Sequence, residues 1–203
     1  VSKLTSEIPS IEKTIVVSYS AQSPDISAVR NSMWWSEIES RPTVVGEIEF
    51  VHLPFDHPLC VLYSSGTTGA PKCIVHGAGG TLIQHLKEVV LHCDLRPHEK
   101  IFYYTSCGWM MWNWLVSSLC VGATVLLYDG SPFYKSGNVL FDVAQREGLN
   151  VFGTSAKFIA ALEKANIRPR ESHDLSALRL ILSTGSPLLP ENFDFVYSSI
   201  KRD

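Results

Sequence analysis

Ten consecutive residues, Tyr63-Ser64-Ser65-Gly66-Thr67-Thr68-Gly69-Ala70-Pro71-Lys72, hold four Ser and Thr hydroxyls, two glycines, one proline and one lysine. Glycine lets the main chain come close to an anion and turn its N–H groups towards it. The hydroxyls add donors and Lys72 adds a positive charge. Binding a triphosphate needs this combination. A plain surface turn uses the same small polar residues. This stretch, however, follows directly on an apolar strand and closes on Pro71-Lys72. It is not the Walker pattern, which needs Gly, four residues and then Gly-Lys-Ser/Thr opening a helix. Lys72 instead follows Ala70-Pro71 and leads into a strand. No Gly-x-Ser-x-Gly elbow surrounds Ser64 or Ser65, so neither is a triad nucleophile.

Three further groups of residues bear on chemistry. Gly185-Ser186-Pro187, within Ser183 to Leu188, reads on its own as a turn at a strand end. Gly108 and Trp109 follow a strand, where ligands bind in parallel sheets. Gly108 leaves room at a pocket wall, Trp109 closes the space, and Met111 and Trp112 keep it short. Asn113 carries an amide in an otherwise apolar helix and needs a partner. It either meets the polar end of a substrate or bonds to the main chain of a buried helix. His76 ends a strand beside the phosphate-type loop, as a shaper of the site or as a structural histidine. His85, His92 and His98 are expected to face solvent. No His, Cys, Asp and Glu cluster has metal-ligand spacing, so no metal site is expected in these residues.

The elements that must position these residues alternate at short intervals. Thr14 to Ser18 reads as a buried strand, and Trp34 and Trp35 as core or lid residues. Leu59 to Tyr63 and Cys73 to His76 flank the loop as short strands. A helix comes next, with Leu82, Ile83, Leu86, Val89 and Val90 on one face. Lys100 to Thr105 is a strand, and Met110 to Val121, apolar nearly all round, is expected to be a buried helix. Strands over 123–128, 150–153 and 178–182 alternate with helical faces at Val139–Ala144 and Phe158–Ala165, and Pro190 opens a last helix. The pattern predicts an α/β fold with a mainly parallel sheet flanked by helices. The loops after Tyr63, Thr105, Tyr128, Gly153 and Leu182 are then the ones to inspect for ligands.

The loop from Tyr63 to Lys72 resembles the phosphate-binding signature of the adenylate-forming superfamily, which includes acyl-CoA synthetases, luciferases and peptide-synthetase adenylation domains. The resemblance implies that Ser64, Ser65, Gly66, Thr67, Thr68, Gly69 and Lys72 wrap the ATP phosphates, with Lys72, Thr67 and Thr68 taking the catalytic part. It also implies that Gly185, Ser186 and Pro187 lie against adenine. Ile74 to Gly77, Gly108 to Asn113 and Leu127 to Pro132 are similar to the corresponding stretches of the acetoacetyl-CoA synthetases within that superfamily. This similarity implies an acid–thiol ligase acting on acetoacetate, ATP and CoA, with Gly108, Trp109 and Asn113 at the acid. The alternatives are a ligase for another small acid, a peptide-synthetase adenylation domain, or a nucleotide-binding module without catalysis. Residues 1–203 would be a partial AMP-binding domain from the large N-terminal domain of such an enzyme. The small C-terminal domain, the Glu that helps to hold Mg²⁺, the acid for the ribose hydroxyls and the lysine for adenylation are not in this sequence. The piece alone is therefore expected to be inactive.

Composition agrees with this and narrows the rest. The 203 residues are 45 % hydrophobic and 18 % charged, as in a soluble globular domain with a sizeable core. The formal net charge of −3 gives no basic patch and no reason to expect nucleic acid as a partner. The longest apolar run, Trp109 to Gly122, is too short to span a membrane and is broken by Asn113, Ser117 and Ser118. Five cysteines, an odd number without knuckle or redox spacing, predict free and mostly buried thiols in the cytoplasm. The chain opens on Val1, without a signal peptide, and ends at Asp203 in or just after a helix-like stretch. It is thus expected to be a fragment.

Overall fold

Residues 101–103 and 151–154 are buried in succession, so each of the two strands they form buries residues on both faces at once. The computed structural model describes residues 1–19, 24–42, 46–64 and 69–202, in two compact units, 1–52 and 53–203.

The first unit holds helix α1 (Ser2–Glu7), strands β1 (Thr14–Val16) and β2 (Ser32–Trp34) in parallel register, and helix α2 (Trp35–Glu39). The expected buried strand over 14–18 is three residues long, with Ile15 exposed inside it and Val17 exposed just after it. Trp34 is half-buried and Trp35 exposed, so neither is a core residue of this unit. A two-stranded pair has no second layer to cover its outer side chains.

The second unit opens with the hairpin β3 (Pro58–Ser64) and β4 (Lys72–Gly77), paired antiparallel with Ser64 opposite Lys72. The parallel sheet comes after it. Helix α3 (Ala78–Leu86) widens into a π-helical extension over Lys87–His92 and leads to β5 (Lys100–Tyr103). Helix α4 (Met110–Val116) tightens into a 3₁₀ turn over Ser117–Val121 before β6 (Thr124–Leu126). Then come α5 (Val139–Glu147), β7 (Val151–Ser155), α6 (Ala156–Lys164), α7 (Pro169–Ser172), β8 (Leu180–Thr184) and α8 (Pro190–Phe195) with its extension over Val196–Ile200. The strand order is β6-β5-β7-β8 and every pairing is parallel.

Two cores lie on the two faces of this sheet. Phe102 of β5 and Phe152 of β7 point into one, with Leu140, Phe141, Phe158, Leu162 and Phe195 from the helices. Their neighbours Ile101, Tyr103 and Val151 point into the other, with Val89, Trp114 and Leu115. The expected α/β fold with a mainly parallel, helix-flanked sheet is the one observed.

Several local expectations are corrected. The loop after Tyr63 is not the carboxyl end of a strand in that sheet; it joins an antiparallel pair. Ser64 and Lys72 face each other across seven intervening residues, too few for a parallel crossover, which needs a dozen or more. Helix α3 and its extension bury Thr81, His85, Val89 and Cys93, not the Leu82–Ile83 face. These four residues recur every fourth position, which the wide turn from Lys87 keeps in line. His85 is therefore inside, at 6 % exposure, because its Nδ1 meets Ser117 Oγ at 2.8 Å. His92 and His98 are exposed, and His76 is half-buried. In the stretch from Met110 to Val121 only Trp114, Leu115 and Ser118 are buried, since among the described residues no layer covers Met110 and Leu119. The cysteines are free, but only Cys93 is buried. Cys60 is half-buried, and Cys73, Cys107 and Cys120 are exposed on the hairpin, a loop and the outer side of a turn.

Candidate functional site

Parallel strands bring their carboxyl ends to one edge of the sheet, and polar residues closing apolar strands gather there. Tyr103 and Tyr104 at the end of β5, Tyr128 to Gly130 after β6, Thr154 and Ser155 at the end of β7, and Thr184 and Gly185 at the end of β8 line a cavity of about 450 Å³. Thr105, Ser106, Trp109 and Met111 complete its wall.

The wall is built from hydroxyls whose partners are fixed. Tyr103 is 5 % exposed and its Oη donates to the Thr154 carbonyl at 2.9 Å. Tyr104 donates to the Gly130 carbonyl at 3.0 Å and Tyr128 to the Ser131 carbonyl at 3.1 Å. Ser155 Oγ accepts the Phe158 N–H at 3.2 Å and so caps α6. Burial pushes the phenols of Tyr103 and Tyr104 above their ordinary value, and for Tyr104 the neighbouring Tyr128 and Asp129 add to the rise. Both are therefore neutral hydroxyls at pH 7.

The residues singled out from sequence divide between several places. Trp109 precedes the first turn of α4, is largely exposed and lines the cavity. Gly185, with φ +88°, lines it too. Ser186 and Pro187 lie past that turn and line a neighbouring cavity of about 580 Å³, together with Ile181, Ser183, Phe193 and Tyr197. The turn at 185–187 therefore borders both cavities. Gly108 and Asn113 line neither. Gly108 faces open space, and the Asn113 carbonyl accepts the Ser117 hydroxyl at 3.0 Å. On the hairpin, Ser64 Oγ accepts the Lys72 N–H at 3.4 Å, Gly69 takes φ +112°, and Lys72 is exposed. Ser65, Gly66, Thr67 and Thr68 lie outside the described residues.

Residue-by-residue reading missed Tyr103, Tyr104, Asp129, Thr154, Ser155 and Thr184, although the loops carrying most of them were identified. The available signal was a polar pair or triplet closing an apolar run, as in Tyr104-Thr105-Ser106, Thr154-Ser155 and Ser183-Thr184. Among the described residues no group of three His, Cys, Asp or Glu could hold a metal ion, and no helix is long and apolar enough to cross a membrane.

The sequence profile of AMP-binding enzymes matches residues 3–202. The chain belongs to the AMP-binding enzyme family. Within that family it is 65 % identical to the acetoacetyl-coenzyme A synthetase of Rhizobium meliloti over 158 residues, 78 % of this chain and 24 % of the relative. It is 50 % identical to the acetoacetyl-CoA synthetase of Danio rerio over 201 residues, 97 % of this chain and 30 % of the relative. The solved acetoacetyl-CoA synthetase from Streptomyces lividans superposes with a TM-score of 0.84 at 42 % identity, over 98 % of this chain and 30 % of that one. The chain thus spans less than a third of the length of these relatives. In this member of the family the Ser/Thr/Gly-rich sequence runs between β3 and β4, and the sheet edge carries a cavity of small-molecule size.

Proposed function

We propose that the whole protein is an acetoacetate–CoA ligase, and that residues 1–203 are a partial adenylation domain of it, inactive without the rest. The observation that carries this reading is the 65 % identity to a relative named for that activity, together with a small cavity at the carboxyl edge of the sheet. In the first step a carboxylate oxygen of acetoacetate forms a bond to the α-phosphorus of ATP. The bond from that phosphorus to the bridging oxygen breaks, and pyrophosphate leaves. In the second step the CoA thiol loses its proton to solvent, its sulfur bonds to the acyl carbon, the bond from that carbon to the AMP phosphate oxygen breaks, and AMP leaves. Positioning and charge stabilisation carry such transfers.

Ser64, Ser65, Gly66, Thr67, Thr68, Gly69 and Lys72 are the proposed phosphate ligands, with Lys72, Thr67 and Thr68 facing the reacting phosphate. Gly185, Ser186 and Pro187 are proposed to lie against adenine. Trp109 is proposed at the acid, in keeping with its place in the cavity wall; Gly108 and Asn113 would act only from behind that wall. Mg²⁺ is expected to accompany the triphosphate. The cytosol is the proposed compartment, in keeping with free thiols at all five cysteines.

ATP–pyrophosphate exchange by the complete protein, with acetoacetate, acetate and butanoate in turn, tests the reading. Exchange is expected with acetoacetate ahead of the others. Preference for acetate, or no exchange with any acid, overturns it.

A further inference from the structure

Tyr103 has one hydroxyl proton and two neighbours within hydrogen-bond reach of it. Its Oη stands 2.9 Å from the Thr154 carbonyl oxygen and 2.8 Å from Thr184 Oγ1. A carbonyl has no proton to offer, so the Tyr103 proton goes to Thr154. The contact with Thr184 is then a hydrogen bond only if Thr184 donates. The single Thr184 proton points at Tyr103, and Thr184 Oγ1 turns lone pairs to the cavity it lines. Tyr103 cannot swing away, because its ring lies over Gly153 and meets Trp114 edge-on at 6.1 Å. Two other hydroxyls of the wall have their protons taken up in the same way. Tyr104 and Tyr128 donate to main-chain carbonyls, and among the described residues no Lys, Arg or His lines the cavity.

We propose that Thr184, held as a proton acceptor by Tyr103, selects short acids that carry an O–H or N–H donor on the third carbon. This rests on the reading that a small carboxylic acid occupies the cavity. A 3-hydroxyl, a terminal amide or the enol form of a β-keto acid meets Thr184 with a hydrogen bond as it stands. A keto oxygen brings only lone pairs and requires Thr184 to turn its proton away from Tyr103. A methylene group brings nothing. Thr184 is the specificity-determining residue, and Tyr103 is a positioning residue that acts through it.

The test is a titration of the complete protein, isotope-labelled at its Thr methyl groups, with 3-hydroxybutanoate, 3-amino-3-oxopropanoate, acetoacetate and butanoate. No nucleotide is added, so the result is independent of the adenylation step that pyrophosphate exchange tests. The hydroxyl and amide acids separate the two sources of a donor. At least one of them is expected to bind about tenfold more tightly than butanoate, the size of one net hydrogen bond. Thr184→Val keeps the shape and is expected to erase that difference. Tyr103→Phe removes the oxygen to which Thr184 donates, frees the Thr184 proton for the cavity, and is expected to raise acetoacetate relative to 3-hydroxybutanoate. A purely structural Tyr103 would weaken all four acids alike. Equal binding of butanoate and the donor acids in the wild type, an unchanged order in both variants, or no binding of any acid overturns the proposal.

Discussion

The ring of Tyr103 lies directly on the main chain of Gly153, and a Cβ added to Gly153 would clash with the near edge of that ring. The two residues are partners across adjacent strands, Tyr103 on β5 and Gly153 on β7. Gly153→Ala must therefore displace a ring that is held by Thr154 and Thr184. Overpacking of a tight interior costs about 1–3 kcal/mol. The melting temperature should fall by about 2–4 °C for each kcal/mol at this chain length. Differential scanning calorimetry measures it, and an unchanged Tm would mean that the ring moves freely.

Arg179 ties the start of β8 to the turn before β5. Its guanidinium donates to both carboxylate oxygens of Glu99, at 2.6 and 2.7 Å, and to the carbonyls of Cys93 and Asp94. The hydrogen bond from Arg179 holds the Glu99 carboxyl below its ordinary 4.5. A carboxyl depressed in the folded state stabilises fully above its unfolded value, and that contribution is lost as pH falls from about 4.5 through the folded value. Arg179→Met should therefore lower stability at pH 7 and flatten the acid-side decline. Urea midpoints between pH 7 and pH 3 in both proteins check this. Parallel curves would remove Glu99 from the account.

His85 should produce a decline at milder pH. Burial holds its imidazole below the ordinary 6.5, partly opposed by Glu88 and reinforced by His76. Ser117 Oγ donates to the Asn113 carbonyl, so His85 Nδ1 carries the proton shared with Ser117. The unfolded chain takes up a proton first as pH drops below 6.5, so stability begins to fall there and continues to fall until the folded imidazole is protonated. His85→Gln keeps a donor for Ser117 and cannot titrate in this range. Its urea midpoint should vary less with pH between 7 and 5 than that of the wild type, and equal slopes would rule His85 out as the cause.

Gly66→Val and Lys72→Ala probe the proposed phosphate loop in the complete protein. The valine blocks main-chain approach to an anion, and the alanine removes a positive charge. Losing one such stabilising group lowers rates roughly 10²–10³-fold. Pyrophosphate exchange that survives both changes intact would make the loop a structural turn.

Trp109→Gly opens the cavity wall without touching its core, since Trp109 is 72 % exposed. In the complete protein kcat/KM should fall for acetoacetate and rise for hexanoate. An unchanged chain-length ranking would remove Trp109 from the acid pocket.

The alternation of strand and helix, and with it the α/β class and the carboxyl edge where ligands gather, was legible in the sequence. Hydrophobic period and Gly/Pro punctuation are local quantities that a strand or helix carries with it. The Ser/Thr/Gly stretch before Lys72 was legible for the same reason, as contiguous chemistry. The tertiary structure alone decided what depends on residues far apart in the chain. That His85 is buried follows from Ser117, 32 residues away, which supplies its hydrogen bond. That Thr184 presents lone pairs follows from Tyr103, 81 residues away, whose own proton is held by Thr154. That Asn113 stays out of the cavity while Trp109 lines it follows from where α4 meets the sheet. A side chain's polarity in a site is set by the partners that take up its protons, and those partners are chosen by packing across strands, which no local pattern encodes.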